Sequence, residues 1–166
     1  MTKVLSPVVL RTITANDDAT MEAIIKKSLE EHNMAIDGTV YTDPVIKNLS
    51  NYFKGAGSRY FVAEMDGKLC GGGGIAALPN ADDKTCELQR MFLDAAYRKL
   101  GIGYGILQQC IDYARGYGYT FCYLETSEKL PQAIALYEKF GFKYLEGPMG
   151  NTGHFSCTTY MGLELT

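Results

Sequence analysis

The sequence predicts a single mixed α/β domain of the α+β type, spanning residues 1–166. Its composition is that of a globular protein, because 46% of its residues are hydrophobic and 21% are charged. A chain of 166 residues can bury one continuous core without disulfides or metals. Runs of β-forming residues alternate with segments whose apolar residues recur at helical spacing. One pair of runs is joined by Asp66-Gly67, a strong hairpin signal that predicts antiparallel strands.

The first half of the chain predicts one strand, two helices and three further strands. The first strand is the β-rich segment 8–14, after which Asn16 and Asp17 offer N-cap chemistry for a helix. A second, shorter helix should follow Pro44. The three strands are predicted at 58–65, 68–78 and 86–93. Four consecutive glycines at 71–74 would weaken the middle strand, so they predict a bulge or a close approach by another part of the chain.

The second half predicts a helix, a strand, a helix and two final strands. Apolar residues at helical spacing run through 107–114. The nearly all-apolar run at 121–124 is typical of a buried strand. A second helical stripe covers 130–137 and should end at Gly141. The last two strands are predicted at 142–145 and 155–165.

A glycine-rich segment between a predicted strand and a predicted helix is the most informative part of the chain. It reads Arg98-Lys99-Leu100-Gly101-Ile102-Gly103-Tyr104-Gly105. Glycines let a backbone approach a ligand closely, and the free amides of a helix start favour negative charge, so the segment predicts a phosphate-bearing ligand. A dinucleotide fingerprint fits poorly because Ile106 stands at its third glycine. A P-loop fits poorly because the chain contains no Gly-Lys-Ser or Gly-Lys-Thr.

The pattern that remains is Arg-x-x-Gly-x-Gly, formed by Arg98, Gly101 and Gly103. It resembles the pyrophosphate-binding loop of the GNAT (Gcn5-related) N-acetyltransferases. A second segment, residues 133–142, resembles the family's Ala-x-x-Leu-Tyr-x-x-x-Gly-Phe motif. The predicted order of helices and strands is also that of the family. The resemblance extends over residues 8–165.

This resemblance implies a central mixed, mostly antiparallel sheet of about seven strands, splayed near the cofactor and flanked by about four helices. It also implies an enzyme that transfers the acetyl group of acetyl-CoA directly to a primary amine. Arg98 and the amides of the loop would hold the pyrophosphate, while an amide of the preceding strand, that of Phe92, would face the thioester oxygen. The residues expected at the cofactor, including those whose backbone would bond the pantetheine arm, are Met91, Phe92, Leu93, Arg98, Lys99, Leu100, Gly101, Ile102, Gly103 and Tyr104.

Glu87 is the candidate general base. Amines with a lysine-like pKa of about 10.4 are protonated at neutral pH, so a base is useful either directly or through a water. The family often keeps a carboxylate just before its cofactor-binding segment. Strand alternation would place Glu87, Gln89, Met91 and Leu93 on one side, facing a cleft. The alternative is a solvated or ion-paired carboxylate on a strand.

Tyr137 is the candidate general acid, because the tyrosine at this position of the family motif lies near the sulfur. The alternative is a core tyrosine with a satisfied hydroxyl. The family's asparagine, seven residues before this tyrosine, is replaced here by Leu130. Ser127 and Lys129 are the alternatives for its contact with the cofactor.

The resemblance assigns the acceptor pocket largely to the first two helices and their connection, at about residues 30–52. Acidic and aromatic side chains there, with Glu30 and Tyr41 as candidates, suggest a small amine that is cationic or partly apolar. His154 is a candidate acid–base group or substrate contact, or else a surface histidine. A Cys157–His154 nucleophile pair stays open, whereas two such side chains are too few for a metal site, so no metal is expected.

Charge and cysteine content narrow the remaining classes. The net charge of −3 and pI near 5.4 argue against nucleic acid as a partner. No segment is apolar enough to span a membrane or to act as a signal peptide, and the five cysteines form no Cys-x-x-Cys pair. We therefore expect a cytoplasmic monomer or homodimer that acts on a small-molecule amine. Two alternatives stay open: an acyl-CoA-binding sensor without turnover, and an enzyme that acetylates proteins or peptides.

Overall fold

A seven-stranded sheet forms the centre of the computed structural model, which describes residues 6–165. Its strands are β1 (Val9–Thr12), β2 (Arg59–Met65), β3 (Lys68–Ala77), β4 (Thr85–Leu93), β5 (Phe121–Thr126), β6 (Lys143–Tyr144) and β7 (Thr159–Glu164). They lie in the order β1-β2-β3-β4-β5-β7-β6, and every neighbouring pair is antiparallel except β4 and β5. The α-helices are α1 (Asp18–Glu31), α2 (Leu49–Tyr52), α3 (Ile102–Tyr117) and α4 (Pro131–Phe140). The mixed, mostly antiparallel sheet that the sequence predicted is confirmed.

Two regions differ from the sequence prediction. The stretch around Pro44 forms the 3₁₀ turns Val40–Thr42 and Pro44–Lys47 before the single turn of α2, instead of one longer helix. Residues 145–158, which we call the late loop, include the predicted start of the last strand but are not extended. Gly150 and Gly153 there have φ values of 59° and 76°, in the left-handed region that a strand cannot accommodate.

The sheet is covered on both faces, and each face has its own hydrophobic core. On one face, α3 packs Ile106, Leu107 and Ile111 against the sheet, in a core that also contains Tyr137 and Phe142. On the other face, α1 and α2 bury a second set of side chains, including Met21, Ile25, Leu29, Leu49 and Phe53. Covering both faces leaves the ends of the strands, and any gap between them, as the places where a ligand can enter. No helix within residues 6–165 is long and apolar enough to cross a membrane.

Strand β4 contains a bulge at Arg90 that changes which face its side chains occupy. Gly72 pairs with Phe92 and Gly74 pairs with Gln89, so β4 has one residue more than β3 between these pairs. Arg90 has a φ of 52°, which is uncommon for a residue with a side chain. Beyond the bulge, Met91 packs with the α3 core and Phe92 with the α1 core.

The predicted alternation along β4 is therefore wrong past Arg90. Leu88 lies in the α3 core, so Glu87 and Gln89 face the α1 side, and Phe92 rather than Met91 or Leu93 shares that face. An inserted residue reverses a period of two, and nothing in the local sequence signals the insertion.

Strands β4 and β5 separate soon after they begin. Their parallel pairing covers Thr85 to Glu87 on β4 and ends where Glu87 lies opposite Tyr123. Strand β4 then continues to Leu93 and β5 to Thr126 without pairing with each other. The predicted splaying of the sheet is confirmed, and it opens a gap in the middle of an otherwise continuous sheet.

Two of the four glycines of β3, Gly72 and Gly74, make room for an aromatic ring that supports the bulge. A Cβ on Gly72 would lie 2.5 Å from the Tyr60 ring and 2.7 Å from the Phe61 carbonyl oxygen, and a Cβ on Gly74 would lie 2.7 Å from the rings of Phe53 and Tyr60. The Tyr60 hydroxyl donates a hydrogen bond of 2.7 Å to the carbonyl of Arg90. The close approach predicted at 71–74 is thus confirmed, and its purpose is to let Tyr60 reach β4.

Substitution of these glycines tests this arrangement. Gly72→Ala should lower the free energy of unfolding by about 1–3 kcal/mol, because backbone and a fully buried ring leave the new methyl group no space. Gly73→Ala is the matched control, since its Cβ would meet only the Met91 and Ile106 side chains, at 3.1 and 3.2 Å. Urea denaturation of both variants gives the comparison, and equal losses would contradict a specific requirement at Gly72.

Candidate active site

A cavity of about 470 Å³ lies where β4 leaves β5. One end of it is formed by the start of α3 and by α4, with Arg98, Gly103 and Leu136 among the lining residues. Its other end is formed by the two separating strands and the late loop, with Glu87, Glu125 and His154 in the wall. The connection after α1 contributes the remaining side, through His32, Met34, Thr39 and Val40. The glycine-rich segment and the predicted catalytic residues therefore share one cavity.

The glycine-rich segment adopts the conformation that its sequence predicts. Lys99 and Gly101 have left-handed φ values of 64° and 79°, and α3 begins directly afterwards, at Ile102. A Cβ on Gly103 would lie 3.2 Å from Leu93 and 3.3 Å from Leu136, so glycine lets α3 approach both β4 and α4. The first-turn amides of α3 are thereby held at the cavity mouth, as anion binding requires.

Not every residue of this segment contributes a side chain to the cavity. Arg98, Lys99, Gly101, Gly103 and Tyr104 line it. The side chain of Ile102 belongs to the α3 core, and that of Leu100 is exposed to solvent. These two positions could serve a ligand only through their backbone amides.

Arg98 connects the segment to two other elements. Its Nη2 atom lies 3.0 Å from the Leu93 carbonyl oxygen and 3.2 Å from Ser28 Oγ, and it forms an ion pair of 3.2 Å with Glu31. The guanidinium therefore fixes the segment to the end of β4 and to α1. It remains at the cavity wall, where a phosphate could compete with Glu31 for it.

The end of β4 offers an unpaired backbone edge. Phe92 and Leu93 pair with Gly72 and Gly71 of β3, but β5 has already separated on the other side. Met91, Phe92 and Leu93 all line the cavity along this free edge. An extended, amide-bearing ligand could add there in the place of a strand.

Glu87 is buried without an ion pair. Its residue is 5% exposed, and no Lys, Arg or His within residues 6–165 lies at salt-bridge distance from its carboxyl group. Burial, followed by the negative charge of Glu125, raises the pKa of Glu87 from 4.5 to about 7, against opposing effects of Arg90 and Gln89. A carboxyl group with a pKa near neutrality suits a general base, and the solvated or ion-paired alternative does not fit.

Tyr137 is both packed in a core and present in the cavity lining. Its ring is packed in the α3 core, 5.8 Å from the ring of Phe142, and the residue also lines the cavity. Among the described residues its hydroxyl has no hydrogen-bond partner. Burial raises the pKa of Tyr137 well above its ordinary value of 10, so the phenol keeps its proton at neutral pH.

The structure does not bring Glu30 and Tyr41 into the cavity. The Tyr41 hydroxyl donates a hydrogen bond of 2.8 Å to Glu30, and neither residue lines the cavity. Leu29, one position earlier on α1, is buried towards the cavity, so Glu30 is turned outwards. Ser127 and Lys129 also lie outside the lining, whereas Leu130 and Gln132 contribute to it.

His154 lines the cavity, and it contacts a residue that is distant in the sequence. Its Nε2 atom lies 3.1 Å from Asp43 Oδ2, and the same oxygen lies 2.6 Å from Arg90 Nη2. Cys157 also lines the cavity, but burial and then the charges of Glu125 and Glu87 raise the pKa of its thiol to about 11. Because His154 bonds to Asp43 and the thiol is protonated, the structure does not assemble a Cys–His nucleophile.

Two cavity residues, Arg90 and Glu125, were not singled out from the sequence. Gln89 was expected on the cleft-facing side of β4, and Asp43, which lies behind these residues and outside the cavity lining, belongs to the acidic stretch predicted at about residues 30–52. Arg90 is buried, with its guanidinium 5.0 Å from the ring of Tyr52 and its Nε atom without a partner among the described residues. Glu125 directly follows the apolar run 121–124, and its polar character at the end of a buried strand was the available signal. Within residues 6–165 no group of three or more His, Cys, Asp or Glu side chains is placed to hold a metal.

Comparison with known proteins identifies the family. The model of the Acetyltransferase (GNAT) family matches residues 24–142, and the chain belongs to this family of acetyl-CoA-dependent enzymes. The uncharacterised N-acetyltransferase YjgM of Escherichia coli K12 is 35% identical over 158 residues, which cover 95% of each chain. The resemblance inferred from the two motifs is confirmed.

Solved structures agree with this fold. A GNAT-family acetyltransferase from Staphylococcus aureus Mu50 matches with a TM-score of 0.85 at 21% identity, over 96% of this chain and 100% of that one. YncA from Salmonella typhimurium, solved with its cofactor acetyl-CoA, matches with a TM-score of 0.75 at 19% identity, over 97% and 95% of the two chains.

The buried carboxyl group of Glu87 should make stability depend on pH. A folded-state pKa raised from 4.5 to about 7 means that the stabilising contribution of the protonated group is complete below pH 4.5 and is lost as pH rises towards 7. Glutamine does not titrate. As pH rises across this range, the free energy of unfolding of Glu87→Gln should therefore increase by about 3 kcal/mol relative to that of wild type, and above the range this difference should stay constant.

Urea denaturation from about pH 4 to about pH 8 measures this difference. Glu128→Gln is the control, because that carboxylate is exposed and lies outside the cavity. A difference between Glu87→Gln and wild type that did not change with pH would show that the charge of Glu87 is not destabilised by burial.

Proposed function

We propose that this protein transfers the acetyl group of acetyl-CoA directly to a primary amine of a small metabolite. The observation that carries the proposal is that two buried titratable groups, Glu87 and Tyr137, line one cavity at the gap between β4 and β5. Acetyl-CoA fits this gap, since the start of α3 offers amides for its pyrophosphate and the free edge of β4 offers amides and carbonyls for its pantetheine arm.

In the proposed reaction Glu87 takes a proton from the ammonium group of the acceptor. The neutral amine then forms the C–N bond with the carbonyl carbon of the thioester, and the Phe92 amide would stabilise the oxyanion. As the C–S bond breaks, Tyr137 gives its proton to the departing sulfur. The nitrogen loses its second proton, which restores Tyr137, while Glu87 releases the first to solvent. The products are the amide and the free thiol of CoA.

The same proposal includes the acceptor, the cellular compartment and the assembly of the enzyme. The acceptor is a small metabolite such as an amino acid, a polyamine or an amino-sugar, because the cavity wall at Glu87 is enclosed by the late loop and by the connection after α1. All five cysteines are unpaired, which suits a reducing compartment such as the cytoplasm. A monomer or a homodimer, with no metal, is the proposed assembly.

Cofactor binding can be tested by thermal unfolding. Acetyl-CoA at 100 times its Kd should stabilise by about 2.7 kcal/mol, which moves the midpoint by roughly 2–4 °C per kcal/mol, whereas NAD should have no effect. Arg98→Ala should lose most of this shift, measured against its own ligand-free midpoint. Arg59→Ala is the control, because Arg59 is an exposed residue of β2 that lies outside the cavity. Absence of any shift with millimolar acetyl-CoA or CoA would reject the assigned loop.

Catalysis can be tested by following thiol release with a panel of small amines and peptides. Tyr137→Phe should lower kcat by roughly 10²–10⁴, because it keeps the ring that packs on Phe142 and removes only the acidic proton. Tyr113→Phe should leave kcat unchanged, since its hydroxyl bonds to the Ser58 carbonyl outside the cavity.

Each other outcome of this assay has a definite meaning. An unchanged kcat in folded Tyr137→Phe would remove Tyr137 from the general acid role. Turnover with peptides but with no small amine would favour a protein acetyltransferase. Acetyl-CoA binding without amine-dependent thiol release would favour a sensor.

A further inference from the structure

Two carboxyl groups lie on the same face of adjacent strands at the acceptor end of the cavity. Cys122 and Leu124 of β5 belong to the α3 core, so Tyr123 and Glu125 point to the opposite face, the one that carries Glu87. Glu87 lies opposite Tyr123 in the last parallel pair, which puts Glu125 just beyond it, where the strands have opened. Both carboxyl groups line the cavity.

Glu125 is held in one orientation by two hydroxyl groups. Tyr123 donates a hydrogen bond of 3.0 Å to Oε2, and Thr152 of the late loop donates to Oε1. The Tyr123 hydroxyl is itself fixed by a hydrogen bond of 3.2 Å from the Met149 amide. A carboxylate has about four acceptor sites, so each oxygen keeps capacity for another donor.

The charges around this pair are unbalanced. Among residues 6–165, neither Glu87 nor Glu125 takes part in an ion pair, and the nearby guanidinium of Arg90 is already paired with Asp43. The charged or titratable groups around Glu87 come from four elements. They are Arg90 on β4, Tyr123 and Glu125 on β5, His154 and Cys157 on the late loop, and His32 after α1, with Asp43 behind them. Among the described residues, this end of the cavity therefore has no Lys or Arg left to pair with Glu87 or Glu125.

We propose that Glu125 is the residue that binds the ammonium group of the acceptor, holding it beside Glu87, and that its charge favours proton uptake by Glu87. The inference rests on the proposed function and narrows it, because the acceptor must be an amine that enters as a cation. Glu125 itself exchanges no proton. The ammonium group gives one proton to Glu87, and the neutral amine that results no longer forms an ion pair with Glu125 and is free to attack the thioester.

Two effects of Glu125 can be separated by experiment. In Glu125→Gln the KM for the amine should rise about tenfold, because the ammonium group loses its ion pair and keeps only a hydrogen bond to a neutral amide, while the KM for acetyl-CoA stays unchanged. The acidic limb of kcat/KM against pH should move to lower pH by roughly half to one unit, because a like charge beside Glu87 is removed. Glu125→Asp, which keeps the charge, should retain an acidic limb close to that of wild type.

Glu128→Gln is the matched control, since it removes an equal charge three positions further along, from an exposed site outside the cavity. Neither the limb nor either KM should change in this variant. Thermal unfolding of each variant checks that the fold is intact.

The titration of Glu87 can also be followed without any acceptor, by ¹³C NMR of labelled glutamate carboxyl groups, with Glu87→Gln identifying the resonance. Its midpoint should fall in Glu125→Gln and should not move in Glu128→Gln. A midpoint that is unchanged in Glu125→Gln overturns the electrostatic effect, and an unchanged amine KM overturns the binding role. If wild-type protein turns over no amine at all, the proposed function fails and the acceptor-binding role with it. If the wild-type protein turns over an amine, and both the amine KM and the Glu87 midpoint are unchanged in Glu125→Gln, only the proposed role of Glu125 is wrong.

Discussion

The separation of β4 from β5 is the constraint on which the site depends. A continuous sheet would satisfy the backbone of both strands and leave no room for a ligand in its middle. Here the parallel pairing stops at Glu87, and the bulge at Arg90 carries the rest of β4 away with its side chains on new faces. The hydrogen bond from Tyr60 to the Arg90 carbonyl, possible only because β3 is glycine there, holds this path in place. The glycine-rich segment and the two buried titratable residues Glu87 and Tyr137 are thereby joined in one cavity.

Burial of Glu87 at the gap lowers the stability of the fold but gives this carboxyl group a pKa near neutrality. Placing Glu87 in the protein interior disfavours its charge, and the neighbouring Glu125 disfavours it further. The nearby Asp43 has the opposite effect on stability. Its pKa is lowered, despite its own burial, by hydrogen bonds from His154 and the Val45 amide and by the charge of Arg90, so its ionised form stabilises the fold. That cluster joins the turn before α2, the bulge and the late loop, so long-range polar contacts, and not a continuous apolar core, close the cavity near Glu87.

How much the sequence could predict follows from how local each signal is. The loop at Arg98 and the helix that carries Tyr137 were predictable because glycine spacing and helical periodicity act over a few residues. The role of Tyr137 was inferred only from the resemblance to the family motif. The bulge was not, because Arg90 takes a left-handed φ only under the tertiary contacts of its strand. Asp43 and His154 are 111 positions apart, and only the fold unites them. Glu30 was misjudged because composition does not show which side of α1 faces the cavity.

The ion pair between Arg98 and Glu31 affects how strongly a phosphate group can bind at this end of the cavity. A phosphate group that arrives at Arg98 meets a guanidinium already neutralised, so binding exchanges one anion for another and gains less Coulomb energy than a bare cation would offer. In return, the guanidinium is already ordered, and little entropy is lost. The displaced carboxylate belongs to the last residue of α1, directly before His32 in the cavity wall. A phosphate that displaced Glu31 would therefore release a negative charge next to the cavity wall at His32.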